Sequence, residues 1–252
     1  KMKKRVSARI DVKNEFAIKG IHLEGLRKVG NPNELALDYY NDSIDEIIFM
    51  DAVASYYDRN SLSKIIELAT RNIYVPITVG GGIRNLKDIQ TALNSGADKV
   101  SINTQAIKTP TFISDAALKF GSQCILGSIE AKLFSDENWY VYYDNGREAT
   151  KIHVVEWAQK LEKMGAGELL VTSVDMEGTK KGFDINLNKT ISDSVKIPVI
   201  SSGGAGNIDH IVELFLNTSS DAVALASILH YKTFKTETIK NVLLKNNIRV
   251  RL

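Results

Sequence analysis

The amino-acid sequence predicts an α/β fold in which eight parallel strands, each followed by a helix, close into a (β/α)8 barrel. Two observations predict this fold: strand and helix patterns alternate along the chain, and its second half repeats the first. With 252 residues, of which 44% are hydrophobic, the chain can bury the core of one large α/β domain. We therefore expect residues 1–252 to form a single domain.

Eight short runs rich in β-branched residues are the candidate strands. The segments between them have the apolar spacing of amphipathic helices, and several follow an asparagine that can cap the first turn. The predicted strands cover residues 6–12, 46–51, 75–80, 99–102, 125–130, 168–173, 198–202 and 222–226. The clearest predicted helices cover residues 86–93, 154–164 and 208–216. This alternation predicts a parallel sheet.

An internal repeat indicates that the parallel sheet closes. Residues 76–82 (PITVGGG) match residues 198–204 (PVISSGG), and residues 46–48 (EII) match residues 168–170 (ELL) at the same separation, about half the chain. An open doubly wound sheet would not predict that repeat. The sequence therefore predicts a TIM barrel built from two half-barrels, at about residues 1–120 and 121–252.

Residues 132–149 break the pattern. Trp139, Val141 and Tyr143 alternate with other residues before the turn sequence Asp144-Asn145-Gly146, which predicts a β-hairpin inserted after the fifth barrel strand. Such a hairpin can serve as a lid over the catalytic face or be a plain surface excursion, and its sequence does not decide between them.

Composition excludes several function classes. The formal net charge is only +2 and the basic residues are scattered, so we expect binding to neither nucleic acid nor membrane. Cys124 is the only cysteine, and no Cys/His spacing suits a metal, so we expect a cytoplasmic protein without metal or cofactor. The four histidines, expected in loops or on helix surfaces, are His22, His153, His210 and His230.

Two carboxyl groups follow predicted strands at the C-terminal end of the barrel, where the catalytic residues of such barrels lie. Asp11 and Glu130 end the first and fifth predicted strands, which stand opposite each other in an eight-stranded ring. Such a pair can divide general acid and general base roles if their environments separate their pKa values. Alternatively, they cap loops or pair with Lys13 and Lys132.

Glycine turns follow the third and seventh predicted strands. Glycine allows backbone N–H groups to approach phosphate oxygens closely, and hydroxyl and amide side chains follow the fourth and eighth strands. Each half-barrel thus predicts one phosphate cradle, although a single glycine pair is more often only a turn. The candidate phosphate-binding residues are Gly81, Gly82, Asn103, Thr104, Gly203, Gly204, Ala226 and Ser227.

These motifs resemble those of the cyclase subunit of imidazole glycerol phosphate synthase, the HisF family. The resemblance rests on residues 79–84 (VGGGIR), 96–104 (GADKVSINT), 178–184 (GTKKGFD) and 202–206 (SGGAG), and it extends over almost the whole chain. It implies an ammonia-dependent cyclase of histidine biosynthesis. The substrate would be a bisphosphorylated ribulosyl nucleotide, and the products imidazole glycerol phosphate and the carboxamide nucleotide AICAR.

The resemblance also assigns residues. It implies acid/base roles for Asp11 and Glu130, and it places Lys19 on a mobile loop that closes over the substrate. Other implied substrate contacts are Asp51, Ser101, Thr172, Glu177 and Gly178.

A second implied site is at the opposite end of the barrel. In the family, four charges form a gate there, through which ammonia arrives from a glutaminase subunit (HisH-like) docked on the N-terminal face. Asp98 would contact that partner. If the resemblance is set aside, the same four charges predict a salt-bridge ring with a structural role. The four residues are Arg5, Glu46, Lys99 and Glu168.

Three positions depart from the family pattern. Glu130 and Glu177 stand where the family has aspartates, and Arg9 stands where it has a cysteine. Because strand side chains alternate, Arg9 shares a face with Asp11 and should point into the barrel, paired with Asp11, Glu130 or Asp51. It would tune the acid/base pair and the ammonia path, or recognise an anion. A bulge that turns Arg9 outward is the alternative.

These departures keep other functions open. A diverged paralogue could supply ammonia for amidation of a nucleotide-activated surface sugar, together with a glutaminase and an amidotransferase. The related isomerase of the histidine pathway shares the half-barrel repeat but needs no ammonia. A non-catalytic binding scaffold is the third alternative.

Overall fold

The computed structural model describes residues 3–52 and 62–251. In chain order its strands are β1 (Arg5–Lys13), β2 (Phe16–Ile21), β3 (Glu24–Gly30), β4 (Glu46–Asp51), β5 (Ile77–Gly80), β6 (Lys99–Ile102), β7 (Ile125–Leu133), β8 (Trp139–Tyr143), β9 (Glu148–His153), β10 (Glu168–Ser173), β11 (Val199–Ser202) and β12 (Ala222–Leu225). Its helices are α1 (Pro32–Asn41), α2 (Ser63–Ala69), α3 (Leu86–Asn94), α4 (Thr104–Lys108), α5 (Thr111–Phe120), α6 (Val154–Lys163), α7 (Ile185–Ser194), α8 (Ile208–Asn217), α9 (Ser227–His230) and α10 (Thr236–Lys245).

Eight of the strands form a closed parallel barrel. They pair in the order β1, β4, β5, β6, β7, β10, β11 and β12, and β12 pairs with β1 to close the ring. Each barrel strand contains most of one predicted strand, so the predicted (β/α)8 fold is confirmed. Asn85 and Asn207 cap α3 and α8, at matching positions of the two halves.

Two antiparallel ribbons extend from the barrel at matching places in the two halves. β7 continues beyond the barrel to pair with β8, and β8 pairs with β9, which is the predicted hairpin. β1 likewise continues to pair with β2, which pairs with β3. The strand pattern of the sequence does not predict this first ribbon. The twofold relation between the half-barrels thus includes the excursions that follow their first strands.

The register fixes which side chains point into the barrel. Ser7 pairs with Glu46 and Arg9 with Ile48, so Arg5, Ser7, Arg9 and Asp11 share the inner face of β1. The inner face also carries a small apolar cluster, separate from the large core under the helices, and three of its members pair in register with β1 from Arg5 to Arg9. Its members are Ile48, Leu126, Leu170, Ile200, Ala222 and Ala224.

Among the described residues, the helices are all too short or too polar to cross a bilayer.

Candidate active site

Asp11 and Glu130 lie at the mouth of the barrel, on its C-terminal side. Asp11 is near the end of β1 and Glu130 near the end of β7, with 7% and 5% of their surfaces exposed. They are near enough for the charge of Asp11 to raise the pKa of Glu130. Neither pairs with the lysine two residues later, because Asp11 bonds Arg9 and Glu130 accepts the N–H of Gly146 at 2.7 Å.

The two carboxyl groups have different pKa values. Burial raises the pKa of Glu130 to about 7, and the Gly146 N–H and Arg9 offset only part of that effect. Burial acts on Asp11 in the same direction, but the charges of Arg9 and Lys19 outweigh it and hold its pKa below the ordinary value. One carboxyl is therefore ionised and the other titrates near neutral pH, which suits acid/base catalysis.

Lys19 lies on strand β2 rather than on a loop. Its side chain is 4% exposed and forms an ion pair with Glu177, which follows β10. Burial lowers the pKa of Lys19 to about 8, although the charge of Asp11 opposes the shift. The backbone N–H of His22 also donates to the Glu177 carbonyl oxygen at 2.7 Å, so the ribbon is held against the mouth at two points.

The larger cavity at the mouth belongs to the first half-barrel. It measures about 260 Å³ and reaches Glu130. Within the described residues, the buried oxygens Ser101 Oγ and Asn103 Oδ1 have no hydrogen-bond partner, as expected of groups that await a ligand. The predicted residues that line the cavity are Asp51, Gly81, Gly82, Ser101, Asn103, Thr104 and Glu130.

The equivalent cavity of the second half-barrel is nearly closed. Its volume is about 10 Å³, room for about one water molecule. Lys19 and Glu177 line it, and their ion pair spans part of its wall. The predicted residues brought together here are Lys19, Glu177, Gly178, Gly203, Gly204, Ala226 and Ser227.

Both glycine turns require glycine. Gly81 and Gly204 have φ values of +87° and +108°. A Cβ on Gly81 would lie 2.2 Å from the carbonyl oxygen of Asp51, and one on Gly204 would lie 1.8 Å from that of Gly182. The backbone at these turns therefore takes paths that a side chain would block, and both turns line the cavities.

The turn of the predicted hairpin lies over the first cavity. Gly146 donates its N–H to Glu130, and the Thr104 hydroxyl donates to the Asp144 carboxylate at 3.2 Å while accepting from the Asp144 N–H at 3.2 Å. The hairpin is therefore part of the site rather than a plain surface excursion.

Arg9 points into the barrel, so it is not turned outward by a bulge. Only 2% of the residue is exposed. Its Nε lies 2.9 Å from Asp11 Oδ1, and Nη1 donates to Thr172 Oγ1 at 2.9 Å and to Ser202 Oγ at 3.4 Å. Of the three partners that the sequence left open, the ion pair is with Asp11.

Four charges close the other end of the barrel. Arg5 bonds Glu46 at 2.9 Å and also Glu168, and the Lys99 Nζ lies 2.8 Å from Glu46 and 2.7 Å from Glu168. A cavity of about 560 Å³ opens below this ring on the N-terminal face. Asp98 is exposed beside the ring, and its carboxylate accepts the Ile77 N–H at 2.8 Å.

Comparison with known proteins identifies the family. Residues 5–235 match the model of the histidine biosynthesis protein family. The imidazole glycerol phosphate synthase subunit HisF of Legionella pneumophila is 57% identical over 205 residues, which cover 81% of this chain and 97% of that protein. The subunits of the same name from Hydrogenobaculum sp. (strain Y04AAS1) and Bacillus cereus (strain G9842) are 46% and 43% identical over 249 residues, 99% of each chain. This chain belongs to the histidine biosynthesis protein family.

Within that family the chain is of the HisF type, so the resemblance predicted from its motifs is confirmed. Among the described residues of this HisF-type chain, no three His, Cys, Asp or Glu side chains are placed to hold a metal ion together.

His230, like Lys19, lies elsewhere than the sequence predicts. His230 was expected in a loop or on a helix surface, but it is 7% exposed, at the end of α9. Its Nδ1 lies 2.6 Å from the hydroxyl oxygen of Tyr39, and its charge state is coupled to Asp11 and Lys19. A four-residue helix is too short to show apolar periodicity, so no sequence signal distinguishes the buried face.

His230 predicts a loss of stability in acid. Burial lowers its pKa from the ordinary 6.5 to about 4, so the unfolded chain takes up this proton before the folded one does. The stability that the neutral ring provides is complete above pH 6.5 and is lost as the pH falls toward 4. We expect the His230→Gln variant to lose less free energy of unfolding over this range, by on the order of 3 kcal/mol. Urea unfolding of both proteins at pH 7 and pH 4 measures it, and equal losses would contradict the prediction.

Proposed function

We propose that this chain is the cyclase subunit of imidazole glycerol phosphate synthase. It uses ammonia to close the imidazole ring of a bisphosphorylated ribulosyl nucleotide and releases imidazole glycerol phosphate and AICAR. The proposal depends most on one observation: two buried carboxyl groups with separated pKa values share a barrel mouth that has a glycine turn on each side.

The reaction requires several proton transfers. Ammonia adds to a carbonyl carbon, water leaves, and the bond to the carboxamide nucleotide breaks. Asp11 and Glu130 serve as the acid/base pair, and Lys19 closes over the reacting centre from β2. Arg9 and its hydrogen-bond partner Thr172, together with residues that line the two cavities, complete the substrate site. The lining residues are Asp51, Ser101, Glu177 and Gly178.

A doubly phosphorylated substrate matches the two cradles. One phosphate binds at Gly81, Gly82, Asn103 and Thr104. The other binds at Gly203, Gly204, Ala226 and Ser227, after the Lys19 to Glu177 pair opens. The middle of the substrate then lies over the two carboxyl groups. The unpaired oxygens of Ser101 and Asn103 support the first of these sites.

Ammonia enters from the other end of the barrel. The relatives are named as subunits of a synthase, and we propose that a glutaminase subunit docks on the N-terminal face against Asp98. The ring of Arg5, Glu46, Lys99 and Glu168 then acts as the gate. The cavity below the ring supports this docking face. We also place the protein in the cytoplasm, where the free thiol of Cys124 stays reduced.

Turnover by the purified chain tests the proposal. We expect the chain alone to form imidazole glycerol phosphate from the bisphosphorylated nucleotide and an ammonium salt, as measured by chromatography of the products. Absence of product from a sample shown to be folded would overturn the proposal and favour the paralogue that serves surface-sugar amidation.

A further inference from the structure

Arg9 carries a charge in the barrel interior, where removing a charge from water costs free energy. The guanidinium is buried inside the barrel, and Arg9 pairs in register with Ile48, a member of the apolar cluster of the inner face. A cation there is tolerated only with a charged partner and further hydrogen bonds. Arg9 has both, since it bonds Asp11 on its own strand and the hydroxyls of Thr172 on β10 and Ser202 on β11.

The carboxyl groups of Asp11 and Glu130 have different hydrogen-bond donors. Arg9 contacts Asp11 directly at 2.9 Å, and Lys19 adds a second positive charge near the same carboxylate. The hydrogen bond seen at Glu130 comes from a neutral donor, the Gly146 N–H. The charge of Arg9 also lowers the pKa of Glu130, but only through space, while Asp11 and Asp144 on the hairpin turn raise it. Asp51 lines the same cavity.

We propose that Arg9 is a positioning residue that divides the acid/base work, fixing Asp11 as a permanent carboxylate and leaving Glu130 as the group that carries the proton. The inference rests on the proposed function, because it assigns roles within that reaction. Through its bonds to β10 and β11, Arg9 also ties Asp11 to two further barrel strands, so the Asp11 side chain keeps one orientation. Because the Arg9 guanidinium is bonded to Asp11, Thr172 and Ser202, it is not the group that recognises a substrate phosphate.

The charges around the pair agree with this division. Asp11 faces Arg9 from its own strand, Lys19 from β2 and His230 from α9, and burial keeps His230 neutral above a pH of about 4. Lys19 is itself paired with Glu177, which limits its effect on Asp11. Arg9 is therefore the main cation that holds Asp11 ionised.

Direct titration of the carboxyl groups tests the inference without needing turnover. Side chains labelled with ¹³C at the Asp and Glu carboxyl carbons are followed by NMR from about pH 4 to 9, and the Asp11→Asn and Glu130→Gln variants assign the two signals. We expect Glu130 to titrate near pH 7 and Asp11 to stay ionised down to the acid end of the range. Titration of Asp11 near neutral pH, with Glu130 ionised throughout, would overturn the inference.

Two variants of Arg9 separate charge from packing. Arg9→Met keeps length without charge, and we expect it to raise the pKa of Asp11 by roughly one to three units. Arg9→Lys keeps the charge and should return most of that shift. An Asp11 signal that titrates alike in the wild type and Arg9→Met would overturn the inference. Should Arg9→Met fail to fold, the wild-type titration still decides.

Activity measurements distinguish the inference from the proposed function. With ammonium salt and the bisphosphorylated nucleotide, the pH profile of kcat should show a second ionisation in the Arg9→Met variant. The profile of the Arg9→Lys variant should lack it. If the NMR titrations agree with the inference but the wild type makes no product, the division of the carboxyl groups stands and the proposed reaction fails. If product forms but the titrations are reversed, only the role of Arg9 fails.

Discussion

The Glu130→Gln variant is expected to turn over the nucleotide with ammonium salt about 1000-fold more slowly than the wild type. General acid/base catalysis contributes roughly 100- to 10,000-fold, and glutamine cannot carry the proton. The amide oxygen can still accept the Gly146 N–H that Glu130 accepts at 2.7 Å, so the hairpin should keep its position. Steady-state kinetics at pH 7 measure kcat, and isothermal titration calorimetry measures nucleotide binding, which should change less than tenfold.

A matched surface variant controls for the loss of a carboxylate. Asp193 is paired with Lys189 on the exposed face of α7, and Asp193→Asn should stay within about twofold of the wild type. A non-catalytic scaffold would behave differently, since both variants would then be equivalent in every assay. Turnover by Glu130→Gln within tenfold of the wild type would remove Glu130 from the chemistry.

The Lys99→Met variant is expected to lower the free energy of unfolding by about 3 kcal/mol and to impair glutamine-driven turnover more than ammonium-driven turnover. Removing Lys99 leaves Glu46 and Glu168, which are 1% and 8% exposed, with Arg5 as their shared cation. Breaking a buried ion pair from one side destabilises proteins by about 3 to 5 kcal/mol. Urea unfolding and paired assays, with glutamine plus the glutaminase subunit and with ammonium salt, measure the two effects.

The surface pair again supplies a control. Lys189→Met removes an exposed charge of the same type and should change stability by no more than about 0.5 kcal/mol. If Lys99→Met lowers both kinds of turnover equally, the ring is only a structural salt bridge. If it changes neither turnover nor stability, both interpretations of the ring are wrong.

The parts of the site that lie on barrel strands could be predicted from sequence. Strand alternation fixes which side chains share a face, so the inward direction of Arg9 and its pairing with Asp11 follow from their spacing of two residues. The repeat likewise placed Gly81 and Gly204 after equivalent strands. These features depend on strand alternation and on closure of the barrel, and the sequence indicates both through its residue periodicity and its internal repeat.

The parts that depend on packing between distant segments could not be predicted. The β2–β3 ribbon contains three glycines and many exposed charges, so its alternation is weak, and it forms by pairing with the extension of β1. The Lys19 pair with Glu177 follows from that docking. The contact between Thr104 and Asp144 similarly joins the start of α4 to the hairpin turn, which is distant in the chain.

A crystal structure of the Glu130→Gln variant with the bisphosphorylated nucleotide bound tests most directly whether the barrel mouth is built for a doubly anchored substrate. We expect one phosphate against Gly82 and the other against Gly204, with the ring-forming carbons within hydrogen-bonding reach of Asp11 and residue 130. A nucleotide that occupies one cradle alone, or that keeps its reactive carbons away from both side chains, would contradict the account.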